Sequence, residues 1–212
     1  HISKEIRDFT ASLRTISTLG EAEEILKNTP VLNMLNTKYV IYAPQAMPIS
    51  NPYKMGNAWL VDNINLVNSA DEEMLSLGLD SLTNTVIVDK STENAPVAKK
   101  YNSASGKIEL IKYEPNAMTY KFSSSEDQLA VFSEIYYPDG WNAYINGEIV
   151  SYFRANYLLR AMELKAGDYE IEFRFEPKSY DIGKILSIIC SILLTTALLC
   201  IIFVPFKEKV RN

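Results

Sequence analysis

From Ile185 to Phe206 the chain runs for 22 residues without a charged side chain. The stretch reads ILSIICSILLTTALLCIIFVPF, and at about 1.5 Å per residue a helix of that length covers the roughly 30 Å hydrocarbon core of a bilayer. A buried helix of a soluble core normally carries more polar residues. Here only Ser187, Ser191, Thr195 and Thr196 interrupt, all tolerable in lipid. Pro205 lies near the end of the run, where it closes the helix without cutting its middle. The expectation is one transmembrane helix over residues 183–206, followed by a short tail, 207–212.

The charges around the run set an expected orientation. Lys207, Lys209 and Arg211 follow it, offset by Glu208, while Lys178 and Lys184 stand on the other flank. Basic tails stay in the cytoplasm, so the tail is expected inside and the large domain outside. The whole chain has net charge −5; the segment from Lys184 onward has four basic residues against one acidic, +3, which leaves −8 for residues 1–183. An acidic domain of that charge argues against a nucleic-acid partner. Both cysteines, Cys190 and Cys200, lie inside the run, about 15 Å apart along a helix and too far to bridge. The remaining domain has no disulfide framework and must be held by an ordinary core. The chain opens without Met, signal sequence or earlier apolar span, and it is expected to be the C-terminal part of a larger membrane protein.

Residues 1–100 read as a mixed α and β part. Ile6, Phe9, Leu13 and Ile16 recur at helical spacing, and Ala22 to Leu26 resumes after a break at Gly20. Pro30 opens a short segment leading into Lys38–Tyr42, a buried-strand pattern. Pro44, Pro48 and Pro52 punctuate a loop. Ala58 to Val67 reads as another strand, Asp71 to Leu77 as a short helix, and Thr85 to Val88 as a third strand. Residues 89–106, rich in Ser, Asn, Ala and Lys, read as a flexible connection.

Residues 107–177 read as all β. Candidate strands are Lys107–Tyr113, Ala117–Ser123, Leu129–Tyr136, Trp141–Ile145, Glu148–Phe153, Tyr157–Leu164 and Tyr169–Phe175. In the last, Tyr169, Ile171, Phe173 and Phe175 alternate with Glu170, Glu172, Arg174 and Glu176, one face dry and one wet. Asn146-Gly147 is a type I′ hairpin signal, and Ala166-Gly167-Asp168 makes a second reversal. The fold class expected is therefore an α+β part, then a jelly-roll-like β-sandwich, then the membrane helix. The sandwich runs into the span through Pro177-Lys178-Ser179-Tyr180 and must lie close to the membrane surface.

No catalytic constellation is present: the one histidine is His1, and there is no phosphate-binding glycine loop or metal-ligand spacing. No cofactor is implied. Acidic groups such as Glu23-Glu24 and Asp71-Glu72-Glu73 fit solvated helix starts. The unusual segment is Tyr136 to Gly147, YYPDGWNAYING. Tyr137, Asp139, Trp141, Asn142 and Tyr144 have the chemistry of a sugar site, in which rings stack on pyranose C–H bonds and polar groups fix hydroxyls. The alternative is that Trp141 and Tyr144 fill the sandwich core and Pro138-Asp139-Gly140 is a turn. Arg154 and Arg160 are candidates for a lipid phosphate or a loop of the parent protein, or for ordinary salt bridges.

Pro30 to Ile41, Tyr136 to Gly147, Arg154 to Ala161 and the Gly167 to Pro177 strand together resemble, in this order, bacterial YfhO-type membrane proteins. The resemblance covers most of the chain and ends in a last transmembrane helix. Such proteins are similar to polytopic GT-C-type glycosyltransferases. The resemblance implies transfer of a sugar from a polyprenyl-phosphate donor to a cell-envelope glycan such as teichoic acid. The catalytic carboxylate of that superfamily lies in an early outer loop, so none carries over to this sequence. The chain would be an extracytoplasmic accessory domain with membrane lipid and upstream helices of its own polypeptide as partners. A tethered carbohydrate-binding or adhesion module and a purely structural assembly domain are the alternatives.

Overall fold

The computed structural model describes residues 19–41, 47–78 and 81–209 with positions 7, 11, 15 and 45, and side chains as far as Ile201. The helical spacing of Ile6, Phe9, Leu13 and Ile16 lies outside the described residues, as does Tyr42. Helix α1 (Leu19–Lys27) takes Gly20 into its first turn, so Gly20 is not the break expected from the sequence. Helix α2 (Pro30–Met34) places Pro30 in its first turn, where the missing N–H has no partner to lose. Asn33, buried in α2, donates to the Leu26 carbonyl at 3.0 Å and accepts from Asn51 at 2.9 Å, closing the chain on itself.

The expected buried strand over 38–42 is instead the two-residue β1 (Tyr39–Val40), paired with β2 (Ile49–Ser50). Val40 packs with Ala22 and Leu26 of α1, while Tyr39 and Ile41 on the other side are 66% and 67% exposed. The single strand expected over 58–67 is two strands, β3 (Ala58–Val61) and β4 (Asn63–Val67). Asp62 is the break: its carboxylate accepts from the Ser103 N–H at 2.7 Å, and its carbonyl accepts from the Tyr101 N–H at 2.9 Å. The same contacts pin residues 101–103, so that end of the 89–106 segment is held in place and is not a flexible connection; Gln128 adds a bond to the Asn102 carbonyl at 2.9 Å.

After β4 the chain forms α3 (Ala70–Ser76), whose N-cap Ser69 accepts from the Glu72 N–H, and then β5 (Thr85–Asp89), parallel to β4. This is a β–α–β unit, the connection that a parallel pair requires.

The remaining strands are β6 (Gly106–Glu114), β7 (Ala117–Ser124), β8 (Gln128–Ile135), β9 (Trp141–Ile145), β10 (Glu148–Val150), β11 (Phe153–Ala155), β12 (Leu159–Leu164) and β13 (Gly167–Phe175). They form a five-stranded sheet, β10-β9-β13-β7-β6, against a four-stranded sheet, β11-β12-β8-β3. β7, β8 and β9 alternate between sheets; β13 then inserts between β7 and β9, and β12 between β8 and β11, which is jelly-roll winding. The strand expected over 148–153 divides between the two sheets at Ser151-Tyr152. Tyr152 makes the corner: its ring packs on Tyr136 and Phe173, each 5.5 Å away, and its hydroxyl donates to the Trp141 carbonyl at 3.0 Å. Asn146 and Gly147 hold φ of 53° and 83°, as a type I′ turn needs.

Between the sheets Tyr120, Phe132 and Phe173 meet edge to face, with centroids 4.9–6.1 Å apart. On the opposite face of the four-stranded sheet, Leu129, Val131, Phe153 and Leu159 pack on Val86, Ile87, Leu77 and Met34. Three layers result: five-stranded sheet, four-stranded sheet, and the β–α–β unit with α2.

The four-stranded sheet and the β–α–β layer are joined at the β11–β12 turn. Asn156 is fully buried with φ 47°; its N–H donates to the Ile87 carbonyl at 2.8 Å, and its Oδ1 accepts from the Ile87 N–H at 2.9 Å. One residue, through its backbone N–H and its side-chain oxygen, thus pairs with β5 at Ile87 as another strand would. Beside it, fully buried Glu73 accepts from the Tyr157 N–H at 2.8 Å and lies 3.1 Å from Arg154. Helix α4 (Lys178–Lys209) then leaves the sandwich and continues through Pro205, which does not close it as expected. The apolar window from Lys178 to Ile201 is long enough to cross a membrane, and none of it is buried against the rest of the protein.

Asn156→Ala is expected to lower the unfolding free energy by about 2–4 kcal/mol, from an unpaired buried N–H and left-handed strain. Asn146→Ala, at an exposed hairpin tip, should lose only about 1 kcal/mol. Denaturant unfolding of the detergent-solubilised protein compares the two, and equal losses would contradict the buried linkage. Burial raises the Glu73 carboxyl above the ordinary range, against the lowering effects of the Tyr157 N–H and Arg154. The folded state therefore holds this proton more tightly than the unfolded state. The resulting stability is present in acid and is lost as pH rises through the raised value. Melting temperatures of wild type relative to Glu73→Gln should fall steadily from about pH 4 towards neutrality; a constant difference would contradict this.

Candidate functional site

Strand parity divides the aromatic segment. Along β9, Trp141, Ala143 and Ile145 point toward the space between the sheets and Asn142 and Tyr144 point away from it. The five candidate sugar contacts therefore do not form one constellation. Trp141 packs at 5.3 Å on Phe175, and the Arg160 guanidinium lies 4.4 Å from its ring. Arg160 is 2% exposed, donates through Nε to the Ile135 carbonyl at 3.0 Å and also stacks at 5.1 Å on Phe173. Its charge sits in an aromatic cradle, and burial weakens its hold on the proton, with Tyr152 and Glu134 opposing that effect. Burial raises the carboxyl of Glu134 in turn, while Arg160 lowers it.

On the outer face, Asn142 and Tyr144 donate to the same oxygen of Glu176, at 3.1 and 2.7 Å. Those two bonds, Tyr144 first, hold the Glu176 carboxyl below its ordinary range. The Arg174 guanidinium covers the Tyr144 ring at 4.6 Å and pairs with Glu172. A shallow hollow of about 380 Å³ beside them is lined by Tyr144, Asn146, Gly147, Tyr169, Glu170 and Glu172. The polar groups of this cluster are largely satisfied by one another. Among the described residues, no three His, Cys, Asp or Glu side chains converge as metal ligands do.

Tyr137 and Asp139 stand at the rim, on the exposed β8–β9 loop. The loop is fixed from both sides: Tyr136 N–H donates to the Leu158 carbonyl at 2.7 Å, and the Gly140 carbonyl accepts from Glu176 N–H at 2.6 Å. Gly140 has φ +127°, and a Cβ there would lie 2.9 Å from Phe175 and 3.0 Å from Pro177, so no other residue fits. Arg154 is the side chain bound to Glu73, and it also donates to the Tyr157 carbonyl at 2.6 Å. It faces a protein carboxylate, at a different place from Arg160.

Glu73, Asn156, Tyr152, Arg174 and Glu176 carry much of this geometry and were not singled out as site residues by sequence. For Arg174 and Glu176 a signal existed in the wet positions of β13. For Glu73 and Asn156 none did, because the partners lie 84 and 69 residues apart.

The profile of the family described as "Bacterial membrane protein YfhO" matches residues 61–187, from the end of β3 into α4. "Uncharacterized protein YfhO" of Bacillus subtilis (strain 168) is 25% identical over 119 residues, covering 56% of this chain and 14% of that protein. The match thus spans only a small part of that relative's length. No solved structure matches the chain. With the family match covering more than half of its residues and a membrane-length apolar helix at its end, this chain belongs to the YfhO family of bacterial membrane proteins.

Proposed function

We propose that this chain is the non-catalytic, extracytoplasmic accessory part, with the last helix, of a larger polytopic membrane glycosyltransferase. That protein would move a sugar from a polyprenyl-phosphate donor to a cell-envelope glycan. The observation that carries the non-catalytic role is the self-satisfaction of the polar cluster: Asn142, Tyr144, Glu176, Arg174 and Glu172 bind one another. No free nucleophile or acid–base pair is held ready on that face. The outer placement rests on Lys207, Lys209 and Arg211 beyond the span. Upstream helices of the same polypeptide and membrane lipid are its partners in this reading. The hollow beside Tyr144 and Tyr169 supports a second reading, a tethered glycan-binding surface.

Membranes containing the full-length protein are expected to transfer radiolabelled sugar from a polyprenyl-phosphate donor to envelope glycan, and residues 1–212 alone to transfer none. Transfer by residues 1–212, or equal transfer by membranes lacking the full-length protein, would contradict the proposal. Glycan retention by the isolated residues, abolished by Tyr144→Ala in a folded variant, would favour the second reading.

A further inference from the structure

Pro177 is the last residue before α4, and the β8–β9 loop is built against it through Gly140 and the Glu176 N–H. The loop therefore stands where the membrane helix leaves the sandwich. Large apolar side chains are exposed at this point: Ile135 is 63% exposed, Tyr137 50%, and Tyr180, on the first turn of α4, 67%. Their backbone is held firmly. Ile135 pairs with Leu159, its carbonyl accepts from Arg160, and Tyr136 N–H donates to Leu158. The Ser133 hydroxyl, two residues earlier, lies within hydrogen-bond distance of the carbonyls of Met34 and Gly56, which brings those two residues to the same end of the sandwich.

Height above the bilayer follows from the helix. Seven residues, Lys178 to Lys184, precede the uncharged run, a rise of about 10 Å. The headgroup layer on one side of a bilayer is roughly 5–8 Å deep. The base of the rim thus lies about 2–5 Å above the headgroup layer, within the reach of an isoleucine or tyrosine side chain. Tyrosine suits that boundary, with an apolar ring for the acyl side and a hydroxyl for water, and an exposed isoleucine beside it gains by leaving water. Lys178 and Lys184 on the connecting helix suit anionic headgroups.

We propose that Ile135 and Tyr137 form a lipid-contacting rim, continuous with the membrane helix, that inserts into the headgroup layer and holds the sandwich down on the bilayer. Lipid is the occupant because the rim adjoins the span itself, through Pro177. The inference does not depend on sugar transfer.

The test uses the full-length protein with all its native cysteines, Cys190 and Cys200 among them, replaced by serine, in phosphatidylethanolamine–phosphatidylglycerol liposomes. A bimane label is placed on Ile135→Cys or Tyr137→Cys, both exposed positions, and on Ser125→Cys at the far β7–β8 turn as control. Unchanged thermal unfolding establishes that each labelled protein is folded, and the two rim positions provide independent readings. Labels at 135 and 137 are expected to lose most of their emission with lipid carrying a nitroxide on its headgroup and little with aqueous iodide, with the reverse at 125. Iodide quenching at 135 and 137 equal to that at 125 would overturn the proposal. Protection from both quenchers would overturn it too, because protein rather than lipid would then cover the rim.

Discussion

The four-stranded sheet buries both of its faces. Ala130, Phe132, Met162 and Leu164 meet the five-stranded sheet, while Leu129, Val131, Phe153 and Leu159 meet the β–α–β unit. A sheet in that position cannot be built from the C-terminal strands alone, since its outward apolar face would be left in water. The β–α–β unit and α2 cover it, and β3 extends it along β8. Asn156 joins the covering layer by supplying both hydrogen-bonding groups that Ile87 lacks. Arg154, Glu73 and Tyr157 form a second buried linkage beside it, with one carboxylate receiving a backbone donor and an arginine. Buried charge of this kind is tolerated only when its partners are present.

The same constraint decides what was legible in the sequence. β13 alternates strictly and has a wet face, and its core residues and outer ladder follow directly from its pattern. β8 reads Leu129-Ala130-Val131-Phe132, continuous apolar residues, which is the mark of a strand covered on both sides; only the covering layer was illegible. The break at Asp62 and the corner at Tyr152 interrupt runs whose composition suits strands throughout. Both are fixed by contacts with distant segments, Ser103 in one case and Trp141 in the other. Tyr39 and Ile41 have strand-forming side chains but no layer among the described residues covers them. Of the candidate site, the residue types were legible and their faces were recoverable from parity. Trp141 goes in with Ala143, and Tyr144 goes out with Asn142. The partners of Arg154 and Arg160 were not, since Glu73 and Ile135 are reached only through the fold.

The aromatic segment consequently serves two layers at once. Inward, Trp141 and Phe173 receive Arg160 and close the end of the core. Outward, Tyr144 and Asn142 hold Glu176, one residue before Pro177 and two before α4. The loop between β8 and β9 is pressed on that junction by a glycine that nothing else can replace. Sandwich and span are therefore consecutive parts of one build, in which the end of the domain beside α4 carries the Trp141–Phe175 and Tyr136–Tyr152 ring pairs.

The side of the membrane on which this domain lies is the claim from which the rest of the functional reading follows. It is tested most directly by labelling intact cells with a membrane-impermeant maleimide, using the full-length protein with all its native cysteines, Cys190 and Cys200 among them, replaced by serine and one new cysteine, Ser125→Cys or Asn212→Cys. An extracytoplasmic sandwich predicts labelling at 125 in intact cells and at 212 only after permeabilisation. Labelling at 212 in intact cells, with 125 protected until the membrane is opened, would contradict it.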